Sequence, residues 1–232
     1  GEIKLRSRRH RRQSALLVTQ ERARVMIDCG TDWLKALASV SPTAIVITHA
    51  HPDHAFGLAH GASCPVYATE ETWVLIDRYP VCNRYIVQPR EIFQIGGVSF
   101  EAFPVDHSLG APAVGYRVTG DDAAFFYVPD LVAIRGRRAA LQGVALYVGD
   151  GATIKRSMIR RGDHALIGHS PIAAQLGWCE REGVGRAIFT HCGSEIVRGD
   201  ARVVAARVRT LGAEHGVDAR VAHDGLMLSL QG

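Results

Sequence analysis

Within six residues, His49-Ala50-His51-Pro52-Asp53-His54 sets three imidazoles and one carboxylate side by side. Buried together without a cation, these groups would repel one another or stay half-satisfied. A divalent metal turns them into ligands. Imidazole and carboxylate suit Zn²⁺ first, with Mn²⁺ and Fe²⁺ as alternatives, so donor type alone does not select the metal. The chemistry such a centre offers is hydrolysis, because a bound cation lowers the pKa of water from 15.7 to roughly 7. Any one of these histidines could sit on a solvated turn. Four donors packed this densely argue against that reading for the whole segment.

The elements that must hold this segment are legible on both sides of it. Ala44-Ile45-Val46-Ile47-Thr48 reads as a short buried strand, and Pro52 stops any ladder beyond it. A short helix is expected from about Asp53 to His60. Upstream, residues 14–19 and 24–28 read as a hairpin, and Asp32 is placed to cap a helix over residues 33–39. Downstream, strands are expected at 65–68, 98–103, 114–118, 124–128, 145–148 and 187–190. Helices are expected from Thr69 to about Arg78, from an N-cap at Ser170 with Pro171 at N1 to about Glu182, and from Asp200 to about Leu211, with Val203, Val204 and Val208 inward. Residues 217–230 read as two closing strands around His223-Asp224-Gly225. No repeat or linker interrupts the pattern, so residues 1–232 are expected to form one α/β domain.

The hexapeptide matches H-x-H-x-D-H, and at this point the chain resembles the metallo-β-lactamase-fold hydrolases. The resemblance implies an αββα four-layer sandwich and two divalent cations, Zn²⁺ foremost. It assigns His49, His51 and His107 to one cation, and Asp53, His54 and His191 to the other. Asp130 is implied as the bridging carboxylate. His107, Asp130 and His191 each follow an expected strand, in the order the family requires. Two cations so held share one hydroxide, and Asp53 is implied as the group that orients it or takes its proton. Asp28-Cys29-Gly30 resembles the family's opening D-x-G, which implies that Asp28 supports the metal loop; an ordinary Asp-x-Gly turn is an equal alternative.

Gly168-His169-Ser170-Pro171 resembles an element of the phosphodiesterase branch, which includes tRNase Z and the phosphoribosyl cyclic-phosphate phosphodiesterases. The resemblance puts His169 at the scissile phosphate and its leaving group, against the alternative of a histidine packed at a helix start. Ala222-His223-Asp224-Gly225-Leu226 resembles the closing hairpin of that branch and raises His223 as a substrate contact. Arg9-His10-Arg11-Arg12-Gln13-Ser14 resembles the R-x-R-x-S entry of the cyclic-phosphate enzymes, which makes Arg12 a phosphate contact or, equally, part of a solvated terminus. The chain departs from tRNase Z in having only 23 positions between His107 and Asp130, with no room for a tRNA-clamping arm. It also lacks the cysteine-rich zinc loop of the cyclic-phosphate enzymes. The expected activity is therefore hydrolysis of a small or cyclic phosphodiester. A thioesterase or lactonase resembling glyoxalase II is the second reading, and a metal-holding module associated with nucleic acid is the third.

Bulk properties narrow the setting. The net charge of +4 is concentrated at the start: residues 1–12 sum to +5 and the remainder to −1, which disfavours a nucleic-acid-binding face. Five scattered cysteines without a C-x-x-C pair disfavour a disulfide framework and point to a reducing cytoplasm. No apolar run approaches the roughly 18 residues of a membrane span, and no leader-like apolar segment opens the chain. Gly1 in place of a methionine suggests a trimmed chain. A homo-oligomer remains compatible with all of this.

Overall fold

The computed structural model describes residues 5–162 and 166–230; Glu2 and Lys4 of the basic start lie outside them. The first sheet contains β1 (Leu16–Gln20), β2 (Ala23–Ile27), β3 (Ala44–Val46), β4 (Val66–Ala68) and β5 (Arg84–Ile86), in that order across the sheet. The first pair is the expected hairpin, antiparallel with Leu16 opposite Ile27; the others run parallel. The second sheet collects β6 (Ile92–Ile95), β7 (Val98–Asp106), β8 (Ala113–Thr119), β9 (Ala124–Tyr127), β10 (Ala133–Ile134) and β11 (Leu146–Asp150). After a small hairpin of β12 (Arg160–Arg161) and β13 (Leu166–Ile167), β14 (Arg186–Thr190) and β15 (Asp218–Val221) complete it. Its order is β10-β7-β8-β9-β11-β14-β15, with β6 also on β7.

Three buried clusters define the four layers. Val25, Ile27 and Val46 of the first sheet interlock with Phe100, Tyr116, Tyr127 and Val148 of the second, closing the space between the sheets. Met26, Ile45 and Val66, one residue out of phase, face the other way against Leu58, Trp73 and Ile76. The period of two in these strands thus serves two cores at once. On the outer face of the second sheet, Phe126, Tyr147 and Phe189 pack against α4 (Arg137–Leu141), α5 (Ile172–Glu182), α6 (Ser194–Arg198) and α7 (Ala201–Glu214). This is an α/β structure with helices outside two facing sheets, the expected αββα sandwich.

Several expected elements are shorter than their sequence suggested. Residues 33–39 hold a 3₁₀ turn (Thr31–Trp33) and one helical turn, α1 (Leu37–Val40). The helix after the metal loop is α2 (Pro52–Ala55) followed by a 3₁₀ turn (Phe56–Leu58). The helix after Thr69, α3 (Glu70–Leu75), stops short of Arg78, with Thr69 capping it through the Thr72 amide. Ser170 is not an N-cap: its hydroxyl donates to the Val132 carbonyl, and Pro171 holds the cap position. Asp200 does cap α7, accepting from the Arg202 and Val203 amides, but Val203 points outward at 65% exposure. The closing pair of strands is corrected too. β15 lies parallel beside β14, and no strand forms over residues 226–230.

Candidate metal centre

The hexapeptide lies where β3 ends. Ile47 and Thr48 carry the chain out of the sheet, and α2 starts at Pro52, so His49, His51, Asp53 and His54 occupy one tight bend. Two close approaches shape it. Gly30 lies against the Asp53 carbonyl, where a Cβ would stand 1.9 Å from the oxygen. Gly57 lies against Cys29, and its amide bonds the Cys29 carbonyl at 2.7 Å. Neither glycine tolerates a side chain without moving the loop.

Four donor atoms converge on one point from this bend, from the end of β7 and from the turn after β9. His49 Nε2 is 2.9 Å from His51 Nδ1, which is 3.3 Å from His107 Nε2. Asp130 Oδ2 stands 3.4 Å from His49 Nε2 and 3.7 Å from His107 Nε2. A second group shares that oxygen: Asp130 Oδ2 is 3.0 Å from His54 Nε2, which is 3.4 Å from Asp53 Oδ2. Asp53 Oδ2 is in turn 3.1 Å from His191 Nε2. Each set of four lies within 4.8 Å. The edge of a tetrahedron with metal–nitrogen bonds of 2.0–2.1 Å is about 3.3 Å, so both sets are spaced as ligands around a cation would be.

The proton arrangement fits a metal as well. His54 Nδ1 donates to Asp28 Oδ2 at 2.8 Å, and His107 Nδ1 donates to the Gly168 carbonyl at 3.1 Å. Thr48 Oγ1 donates to Asp28 and so accepts from His49 Nδ1 at 3.0 Å. In His49 and His107 Nε2 is thereby left as the lone-pair nitrogen facing inward, and in His54 Nε2 is the nitrogen that faces inward. His54 Nε2 and Asp130 Oδ1 are buried without a well-aligned hydrogen bond, although charged neighbours surround them. Such atoms are costly unless something else satisfies them, and a cation would. Asp28 is fully buried in the left-handed region at φ 63° and serves His54 directly and His49 through Thr48. Its carboxylate thereby joins the end of β2 to the hexapeptide loop.

The charges sort by group. Burial, then the neighbouring His54, hold His49 well below its ordinary pKa, and burial likewise lowers His51 and His107. The other group is paired. Burial opposes charge on His54, but Asp130 and Asp28 outweigh it and raise that imidazole well above 6.5. Burial also opposes charge on His191, yet Asp130 pushes it up to about 10. Burial acts against the carboxylates of Asp53 and Asp130 in the same way; His191 and His54 hold both below the usual range.

Behind Asp130 stands a dyad, one member of which the sequence did not reveal. Asp150, fully buried at the end of β11, is 2.8 Å from His169 Nδ1 and accepts from the Leu131 and Ala152 amides. His169 Nδ1 is 3.6 Å from Asp130 Oδ1, and its ring stacks on His191 at 5.6 Å. Burial opposes charge on His169, but the Asp150 bond raises its pKa overall. In the sequence Asp150 is only an aspartate before a glycine, shortly after the expected strand at 145–148. Only its parallel register, opposite Thr190, brings it beside the centre.

Arg12 and His223 are not among the residues the structure gathers at the donor groups. The Arg12 guanidinium lies 4.7 Å over the Trp33 ring, and His223 Nδ1 meets the carbonyl of its own neighbour, Asp224. Among the described contacts neither touches the ligand groups. The nearby residue that does is Ser14, whose Oγ accepts the His191 amide at 2.8 Å.

No curated protein matches the chain by sequence. Among solved structures it is similar to a diphosphatase of the PhnP family (22% identity, TM-score 0.69, covering 94% of this chain and 85% of that one). It is also similar to human tRNase Z, short form (17%, 0.65, 97% and 95%), and to an isothiocyanate hydrolase from Delia radicum gut bacteria (15%, 0.70, 95% and 98%). A profile described as the beta-lactamase superfamily domain matches residues 23–192, from β2 through His191 to Cys192. With both ligand groups inside that span and the αββα sandwich around them, the chain belongs to the beta-lactamase superfamily domain family, as a hydrolase of the metallo-β-lactamase fold.

Proposed function

We propose that the protein is a phosphodiesterase for a small or cyclic diester. Its proposed ligands are His49, His51, His107 and Asp130 for one cation and Asp53, His54, His191 and Asp130 for a second, Zn²⁺ being the best match to the donor set. When bound, the cations would supply Lewis acidity to water and to phosphoryl oxygens. The observation that favours a diester is the Asp150–His169 dyad beside this centre. Nδ1 of His169 is committed to Asp150, which leaves Nε2 to meet a substrate, and the side chain is 20% exposed. The buried carboxylate fixes the tautomer and favours the charged ring, so His169 can give a proton to a departing alkoxide. Asp53, held by His54 and His191 yet 24% exposed, faces solvent and can orient the attacking water. Water adds to phosphorus as its proton passes to Asp53, the P–O bond to the leaving oxygen breaks, and that oxygen takes the His169 proton.

An anionic substrate suits the surroundings. The hairpin of β12 and β13 joins the Asp150 and His169 segments, its base tied by the Met158 amide to the His169 carbonyl and by the Gly168 amide to that of His107. Arg160 and Arg161 on it, and Lys155 and Arg156 in the segment before it, are exposed, without a carboxylate partner among the described residues. A thioester or lactone would gain nothing from that charge or from a strong proton donor. The test is a panel of a nitrophenyl phosphodiester, a phosphomonoester, a thioester and a lactone on one metal-quantified preparation. Diester turnover with the monoester spared supports the proposal; faster thioester or lactone turnover replaces it with the glyoxalase II-like reading.

A further inference from the structure

His191 is held in an unusual way. It leaves β14 with φ 49°, in the left-handed region that a non-glycine residue rarely enters. Such a conformation is strained and persists only where neighbours over-determine it. Some of those neighbours are local. The Gly151 amide bonds the Thr190 carbonyl at 2.6 Å, and the Gly193 amide bonds the Gly151 carbonyl at 3.1 Å. One comes from the opposite end of the chain: Ser14 Oγ accepts the His191 amide at 2.8 Å and the Thr190 hydroxyl at 3.2 Å.

Ser14 is itself locked. Gln13, next to it and 2% exposed, exchanges two bonds with Asp32: the Gln13 amide to Oδ2 at 2.8 Å, and the Asp32 amide to Gln13 Oε1 at 3.2 Å. The Trp33 indole donates to the Gln13 carbonyl at 3.0 Å, and Arg6 grips both oxygens of Asp32. On the other flank the Arg11 amide reaches Asp224 Oδ2 at 2.7 Å, and the Asp224 amide reaches the Arg9 carbonyl at 2.8 Å. Residues 6–14 therefore form a strap from the Thr31–Trp33 turn to the loop after β15, and Ser14 is the point where it bears on a ligand.

We propose that Ser14 is a positioning residue for His191, and that the strap sets the affinity of the second cation group without acting on the first. His49, His51 and His107 are supported by Thr48, Asp28 and Gly168, none of which the strap touches among the described contacts. The group of Asp53, His54 and His191 receives the strap's one bond to a ligand backbone. Groups that orient metal ligands typically change affinity by about 10–100-fold when removed. The proposal rests on the two-cation reading of the centre.

The experiment titrates Zn²⁺ into the chelator-stripped chain of residues 1–232 against a competing chelator, for wild type and for Ser14→Ala, Ser14→Thr and Asp32→Ala. Wild type should show two binding steps. Ser14→Ala should weaken one of the two steps about 10–100-fold and leave the other within about twofold. Ser14→Thr, which keeps the hydroxyl, should restore it, and Asp32→Ala should give a smaller selective loss by loosening Gln13. Thermal unfolding of the stripped proteins separates placement from general stability, since a purely structural role would lower both steps together with the melting point. Two wild-type-like steps in Ser14→Ala, or equal weakening of both, would overturn the proposal alone. A single step in wild type would remove the two-cation reading and the proposal with it. Should Ser14→Ala fail to fold, the Asp32→Ala and Ser14→Thr pair decides by the same criteria.

Discussion

Two of the proposed ligands, His54 and His191, carry a proton in the metal-free fold, whereas His49, His51 and His107 do not. A cation can take the place of a proton only by expelling it. Because the pKa of His191 is raised to about 10, affinity of the second group should fall by at least about tenfold for each pH unit below that value, and more steeply where His54 must lose its proton as well. Affinity of the first group should be nearly flat between about pH 7 and 9. Calorimetry in buffers of different ionisation heat counts the protons released at each step; equal release at both would refute this division. His169 gives a second residue-scale prediction. Its replacement by Ala should leave both cations bound and slow an alkyl diester by about 10²–10⁴. A nitrophenyl diester, whose leaving group needs no proton, should suffer much less. Equal losses would assign His169 to phosphate orientation, and no loss to packing. Types and spacing made the H-x-H-x-D-H donors legible, because a metal's demands appear as local density. Asp150 was hidden because its role depends on a register across two parallel strands.

At the scale of elements, each proposed ligand after the hexapeptide sits where a strand ends: His107 after β7, Asp130 after β9 and His191 after β14. Those strands were readable from their apolar runs, since burial on one or both faces writes a clear pattern. Shorter pieces were not. β5 is exposed along its length, and β10, β12 and β13 are two residues each, too brief to leave a period. The end of the chain misled for a different reason: Asp224-Gly225 does form the turn, the Leu226 amide bonding the His223 carbonyl at 3.0 Å, but no strand follows it, and Asp224 also engages Arg9 and Arg11 of the strap. The β12–β13 hairpin carries an element-scale prediction. Arg160→Ser with Arg161→Ser should lower kcat/KM for an anionic diester severalfold, chiefly through KM, and flatten its salt dependence, because exposed cations act through a screened field. Unchanged salt dependence would detach the hairpin from the substrate. Gly168, at φ 113° with its missing Cβ 2.2 Å from the Met158 carbonyl, fixes the hairpin base. Gly168→Ala should destabilise the fold by more than about 1 kcal/mol, read from denaturant midpoints.

For the molecule as a whole, the two sheets do different work. The first sheet delivers the hexapeptide and Asp28; the second delivers His107, Asp130, Asp150 and His191. The centre lies along the common edge, tied across the sheets by the Val114 amide to the Thr48 carbonyl and by the Tyr116 hydroxyl to the Ile47 carbonyl. The four-layer order was legible because resemblance at the hexapeptide carried it. The choice among substrates was not, because structures this similar include a diphosphatase and an isothiocyanate hydrolase. No helix among the described residues is long and apolar enough to cross a membrane. What joins the two sheets chemically is Asp130, the one carboxylate common to both ligand groups. The direct measurement is metal content and diester turnover of purified wild type beside Asp130→Ala, with folding checked by circular dichroism. Two divalent cations per chain in wild type, and a folded Asp130→Ala with at most one and little turnover, are expected. Two retained cations with full turnover in Asp130→Ala would contradict the shared-carboxylate centre.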